Sequence, residues 1–331
     1  MIKFDEQKLL DSVQNALALR GQIEAAVDDI CAKGFRDLYF LGIGGTWASA
    51  LQTEVHMKER SALWVGALLA SEYNTTGDRC VGKGSVVVFS SVTGTTVEVV
   101  EAVQRVKAAG AVVLGFVDTP DTPLYTLSDY VIRYPANEQL KLFMVADRFM
   151  CNSGEFADYE RYYGELDAHL AKALVAVEKA ADDFGRQFAE RHHDDTMHYF
   201  VGCGNQYGST YSYAMCYWEE QHWLRSKSIH AGEFFHGTLE VIDRDTPVTL
   251  FIGEDSQRPL AERVARFLPS VCANYTIIDT KDYPLEGISP EFRGSLSHLV
   301  SHAVTQRIDA HIERINCHPM QIRRYYRQWD Y

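Results

Sequence analysis

Three carboxylates and three imidazoles fall within one stretch, EEQHWLRSKSIHAGEFFHG at 219–237. They are Glu219, Glu220, His222, His230, Glu233 and His236. A carboxylate with an imidazole is the usual equipment for moving protons between carbon and oxygen. His230, Glu233 and His236 lack the HExxH spacing that sets two metal ligands on one helical face. The expectation is therefore proton transfer with no metal. For each histidine taken singly, a satisfied polar residue in a core or interface is the competing account.

Two further segments are built to meet an anion. GIGGT at 42–46 follows a strand-like run and opens a helical one. Glycines there permit a tight turn and leave helix N-terminal N–H groups free. The segment is neither GxGxxG nor a P-loop, so dinucleotide and nucleotide binding gain no support. SSVTGTTVE at 90–98 also follows a strand-like run, SVVVF, and sets Ser90, Ser91, Thr93, Thr95 and Thr96 around Gly94. Hydroxyls and helix N–H groups together coordinate phosphate without Lys or Arg. The plainer alternative is that one hydroxyl caps the helix and the others are solvated. Capping needs only one of the five.

The elements that must position these groups alternate. Residues 5–33 read as one amphipathic helix. Strand-length apolar runs follow at Leu38–Ile43, Ser85–Phe89, Ala111–Val117 and Tyr130–Tyr134, with helical patterns at 47–59 and 97–109. A long helical stretch covers about 137–190. Strands at 197–201, 247–252 and 275–279 then alternate with helices at 206–225, 259–268 and 291–315. Such alternation specifies a parallel sheet with helices on both faces. LYFLGIGGTWASA from Leu38 and HYFVGCGNQYGST from His198 match at Tyr39/Tyr199, Gly42/Gly202 and Gly44/Gly204, an offset of 160. Two copies of one α/β unit is the economical account, divided as 1–165 and 166–331. The RHHDD run containing His192 and His193 reads as a solvated loop.

Composition narrows the function. The 331 residues carry 32 Lys+Arg against 45 Asp+Glu, a formal net charge of −13. That excess disfavours nucleic acid, whose binding relies on clustered cations. No apolar run is long enough to span a membrane, and the N-terminus lacks a signal-peptide pattern. The seven cysteines form no CxxC and read as reduced thiols of a cytoplasmic protein.

With these residues in view, the chain resembles the sugar isomerase (SIS) domain family, and within it the fructosamine-6-phosphate deglycases, including the fructoselysine-6-phosphate type. The resemblance rests on the two glycine-bearing loops, GxxYGxxYSY at 204–213, IHAGEFFHGTLEVID at 229–243 and the tail NCHPMQIRRYYRQWDY at 316–331. It implies two tandem SIS domains, each a three-layer αβα sandwich with a mostly parallel central sheet. It implies Glu220 as catalytic carboxylate, sixteen residues before the catalytic His236. The phosphate-binding positions are then Gly44, Gly45, Thr46, Ser91, Thr93 and Thr96. Glu219, His230, Glu233, Arg323 and Tyr326 are possible substrate contacts. Thr46 and Thr93 stand where Ser is commoner, and Val92 where a polar residue is usual. Tyr217 replaces a Lys that glucosamine-6-phosphate synthase carries, which argues against the synthase reaction.

The resemblance further implies cleavage of a C6-phosphorylated fructosamine to glucose 6-phosphate and a free amine, without cofactor, by a homodimer whose chains complete each other's sites. An aldose–ketose isomerase or amino-sugar-phosphate deaminase would share the same proton shift. A non-catalytic sugar-phosphate sensor would have no need of Glu220 and His236.

Overall fold

Two compact units divide the chain, the first Lys8–Ala168, the second Met1–Gln7 together with the chain from His169 onward. The computed structural model describes residues 1–329; Asp330 and Tyr331, the last two residues of the tail motif, lie outside the described residues. The first unit carries a five-stranded sheet of β1 (Asp37–Gly42), β2 (Val65–Leu69), β3 (Ser85–Ser91), β4 (Val112–Val117) and β5 (Tyr130–Ile132). Its order is β2-β1-β3-β4-β5. The second carries β6 (His198–Gly202), β7 (Ser226–His230), β8 (Val248–Ile252) and β9 (Tyr275–Asp279), in the order β7-β6-β8-β9. Every pairing is parallel. The two sheets therefore share one strand order, the first having one strand more, and the internal repeat is a repeat of structure.

Parallel strands covered on both faces read as continuous apolar runs, and the central strands obey this. Val86, Val87, Val88 and Phe89 of β3 are wholly buried, as are Val248 and Leu250 of β8. Each such side chain contributes about 1.5–3 kcal/mol by leaving water. The edge strands β2 and β7 break the rule. Both are only partly buried, and Ser226–His230 contains one buried residue, Ile229. That is why neither stands out in the sequence, and why the helix expected over 206–225 stops short. It runs Asn205–Ser212, continues as a π-helical run Tyr213–Glu219, and gives way to β7.

Two other expectations are corrected. Residues 5–33 form two helices, Glu6–Leu17 and Arg20–Lys33. Leu17 and Leu19 are both buried. Two residues apart on one helix they would face nearly opposite ways, and the turn between the helices reconciles them. The stretch 137–190 is Glu138–Asn152, Tyr159–Glu165 with a π-helical turn Leu166–Leu170, and Ala171–His192.

The first seven residues are tied into the second unit. Arg307, 2 % exposed in its side chain, donates to the Ile2 carbonyl and to Asp182. Its guanidinium lies 5.8 Å from the Phe4 ring centre, and Lys3 pairs with Glu313. No helix among the described residues is long and apolar enough to cross a membrane.

At the end of β1 the backbone packs so closely that a Cβ on Gly42 would lie 2.4 Å from both the Thr46 carbonyl carbon and the Trp47 nitrogen. Both are backbone atoms at the start of the helix Gly45–Lys58. Gly42→Ala should therefore cost about 1–3 kcal/mol by overpacking, read as a lower midpoint in urea unfolding.

Candidate active site

The first unit presents the two anion-type loops. Gly44 sits at φ 59°, ψ −127°, a conformation open to glycine, and the helix Gly45–Lys58 starts directly after it. The Thr46 hydroxyl folds back on the turn, accepting from the Ile43 N–H and donating to the Ile43 carbonyl, both at 2.9 Å. It braces the loop. In the second loop Ser91 is buried and accepts from the Gly94 N–H at 3.1 Å. Thr95 and Thr93 are linked hydroxyl to hydroxyl at 3.3 Å. Thr96 stands at the N-cap of the helix Val97–Ala108, yet its side chain makes no capping bond. The capping account of these hydroxyls thus fails at the residue best placed for it, and the helix start stays open.

The second unit contains the twin of this turn. Gly204, at φ 61°, ψ −141°, opens the helix Asn205–Ser212 as Gly44 opens its own. Here the amides are taken. The Asn205 N–H donates to the Asp255 carboxylate at 2.8 Å, and the Gly204 N–H to the Gln257 side-chain oxygen at 3.0 Å. Both acceptors come from the loop after β8, the counterpart of the hydroxyl loop after β3. Among the described residues no side chain occupies the corresponding amides of Gly44 and Gly45.

The residues expected from sequence to transfer protons lie in the second unit. Glu220 directly follows the π-helical run, and its N–H bonds back to the Met215 carbonyl at 3.0 Å. Such bulges re-aim the residues after them and recur at functional sites. Its Oε1 accepts from Arg323 Nε and Nη2, each at 2.8 Å. Arg323, a possible contact from sequence, is thus brought to Glu220. Glu219 is exposed and accepts from Ser226 at 3.2 Å. His230 accepts at Nδ1 from the Gly232 N–H at 3.1 Å. Burial holds its pKa below the ordinary histidine value, against the charge of Glu233 and a bond to Gln257. Glu233 and His236 are exposed on the turn after β7. Among the described residues no hydrogen bond joins His236, Glu233 or Tyr326 to Glu220. Tyr326 is exposed, with Arg327 5.2 Å from its ring centre.

His222, part of the sequence cluster, is withdrawn into the core, where it meets Asp309 at 2.9 Å beside the Tyr213 hydroxyl. His192 corrects the solvated-loop reading. It is 1 % exposed and bonds Asp195 at 2.8 Å; His198 bonds the same oxygen at 2.8 Å. The ligand-type atoms of these three lie within 4.8 Å of one another. The distances fit a carboxylate bridging two ring N–H groups.

One residue at the first unit's loops is not flagged by its sequence. Glu138 starts the helix Glu138–Asn152 and is hydrogen-bonded to Ser49, on the helix after the glycine turn, and to Ser90 at the end of β3. Burial raises its carboxyl pKa, partly opposed by the two hydroxyls and Lys141. Burial also brings the Lys141 ammonium down to about 8. An acid with a raised folded-state pKa stabilises the fold while protonated, and that contribution is lost as pH rises through the folded value. Glu138→Gln escapes the loss. In thermal unfolding the variant's Tm should gain on the wild type from pH 5 to pH 8. A gap constant across that range would count against a protonatable group here.

Comparison with known proteins agrees with this geometry. The SIS domain model matches residues 35–149, which span β1 to the helix Glu138–Asn152. Fructosamine deglycase FrlB of Bacillus subtilis (strain 168) is 27% identical over 322 residues, 94% of this chain and 97% of that protein. Fructoselysine 6-phosphate deglycase of Escherichia coli (strain K12) is 26% identical over 279 residues, 81% of this chain and 80% of that protein. A crystal structure of a candidate phosphosugar isomerase from Bacillus subtilis superposes with TM-score 0.90 at 26% identity, covering 96% of this chain and 99% of that one. The C-terminal domain of glucosamine-fructose-6-phosphate aminotransferase from Francisella tularensis shares the fold, with TM-score 0.80 at 15% identity over 95% of each chain. Residues 35–149 thus match the SIS domain, and the two parallel sheets share one strand order.

Proposed function

We propose that the chain is a deglycase for C6-phosphorylated fructosamines, releasing glucose 6-phosphate and a free amine. The observation that carries the phosphate half is the pair of twin turns. The second-unit turn holds a carboxylate on its amides, and the first-unit turn has the same backbone with its amides open. A phosphate monoester suits that opening, since helix N-terminal N–H groups and hydroxyls favour anions without a lysine. Gly44 and Gly45 supply amides, and Thr46, Ser91, Thr93 and Thr96 supply hydroxyls or shape the loops. The named activities of the relatives support the remainder.

The chemistry needs one carboxylate and one imidazole. His236 opens the sugar ring by moving the proton of the C2 hydroxyl, exposing the carbonyl. Glu220 takes a proton from C1 as the C2 oxygen gains one, giving a 1,2-enaminol. Protonation at C2 converts this to a C1 imine, and water adds to the imine to yield glucose 6-phosphate and the amine. Each positioned proton transfer is worth about 10² to 10⁴ in rate. The exposure of His236 supports its serving a second copy of the chain, so the active form is a homodimer.

Glu220→Gln should fold and bind glucose 6-phosphate like the wild type, yet release the product about 10² to 10⁴ times more slowly in a coupled glucose 6-phosphate assay. Near wild-type turnover would remove Glu220 from the role. Sedimentation should give a dimer, and a fully active monomer would overturn the shared site.

A further inference from the structure

The C-terminal tail reaches Glu220 by design of its own contacts. His318 Nε2 meets the Gln221 carbonyl at 3.1 Å, and its ring lies 4.1 Å from that of Trp223. The Arg324 guanidinium covers the other part of the Trp223 ring at 4.0 Å. Trp223 itself sits at φ 60°, left-handed for a residue with a side chain, a conformation that persists only where surroundings enforce it. The turn immediately after Glu220 thus grips the tail at two points. Between them Arg323 is delivered to Glu220, with Nη1 tied to the carbonyls of Met320 and Ile322.

The pair it forms is incomplete. Nε donates to Oε1 and Nη2 lies 2.8 Å from the same oxygen, and among the described residues no hydrogen bond reaches Oε2. The arrangement that satisfies such an edge is a carboxylate offering two oxygens side by side. The side chains are 19 % and 29 % exposed, so a solute can reach the pair, and partly exposed pairs open readily. While it stands, the guanidinium edge is spent on Oε1 of Glu220.

We propose that Arg323 is the receptor for a carboxylate on the amine half of the substrate, which takes over the guanidinium edge from Glu220. The proposal rests on the deglycase reading. The chemistry fits its bond count. The amine nitrogen is attached to C1, and in an α-amino acid joined through that nitrogen the carboxylate is two bonds further on. A guanidinium bonded to the group that works on C1 is within that reach. The preferred amine is then an amino acid rather than ammonia or a simple alkylamine, and its charge, not its side chain, is what the tail reads.

The test uses two fructosamine 6-phosphates, one made from glycine and one from glycinamide, which differ by one charge. Wild-type kcat/KM should favour the glycine compound by about 10- to 100-fold, the range for a hydrogen-bonded charge pair. Arg323→Gln should collapse that ratio towards one, and Arg323→Lys should restore part of it. A wild-type ratio near one overturns the proposal without any variant. So does an Arg323→Gln enzyme that loses the same factor on both compounds, since Arg323 would then only position Glu220. A wild type that releases glucose 6-phosphate from neither compound overturns the deglycase reading, and this proposal with it.

Discussion

The amides at the start of a helix need an acceptor, and much of this protein is arranged around how that need is met. A helix that begins at a glycine turn directly off a parallel strand points its first N–H groups across the strand's C-terminal end. In the second unit the acceptor is built in. Asp255 and Gln257 come from the next strand's loop and close the turn at Gly204 and Asn205. In the first unit the equivalent loop carries hydroxyls in place of the acid, and the turn is left for something else. One carboxylate, present in the second unit and absent from the first, separates the two copies of this turn.

The proposed phosphate site is compatible with the charge of the molecule. A net charge of −13 is an awkward background for binding a phosphorylated sugar. Fixed amide dipoles act over a short range and need no long cationic side chains, so the site does not depend on the overall field. The cations that do matter are placed singly. Arg323 is held against Glu220 by a tail that would otherwise be an exposed string of arginines and aromatics.

Much of this was legible in the residues. The glycine positions Gly42/Gly202 and Gly44/Gly204 expose the repeat, because both turns leave no room for a Cβ at the first glycine and take a positive φ at the second. The central strands announce themselves as apolar runs. The edge strands β2 and β7 do not, since both are only partly buried and Ser226–His230 holds one buried residue, Ile229. Nor do relations between distant side chains. Nothing in IGEDSQ marks Asp255 as the occupant of a turn fifty residues earlier, and nothing in NEQLK marks Glu138 as the partner of Ser49 and Ser90. Proximity in sequence also misled once. His222 sits among the acid–base residues in the chain but spends its ring nitrogen on Asp309 in the core.

The first seven residues bear on how such a chain is made. The second unit is discontinuous, for its Arg307 and Glu313 meet the backbone and side chain of Ile2 and Lys3. During synthesis those seven residues are made before the first unit, and their partners Arg307 and Glu313 after it. The first unit, by contrast, is one uninterrupted segment and has all its strands before the second sheet is begun. Vectorial synthesis therefore completes the first unit before the two segments of the second, which flank it in sequence, can come together.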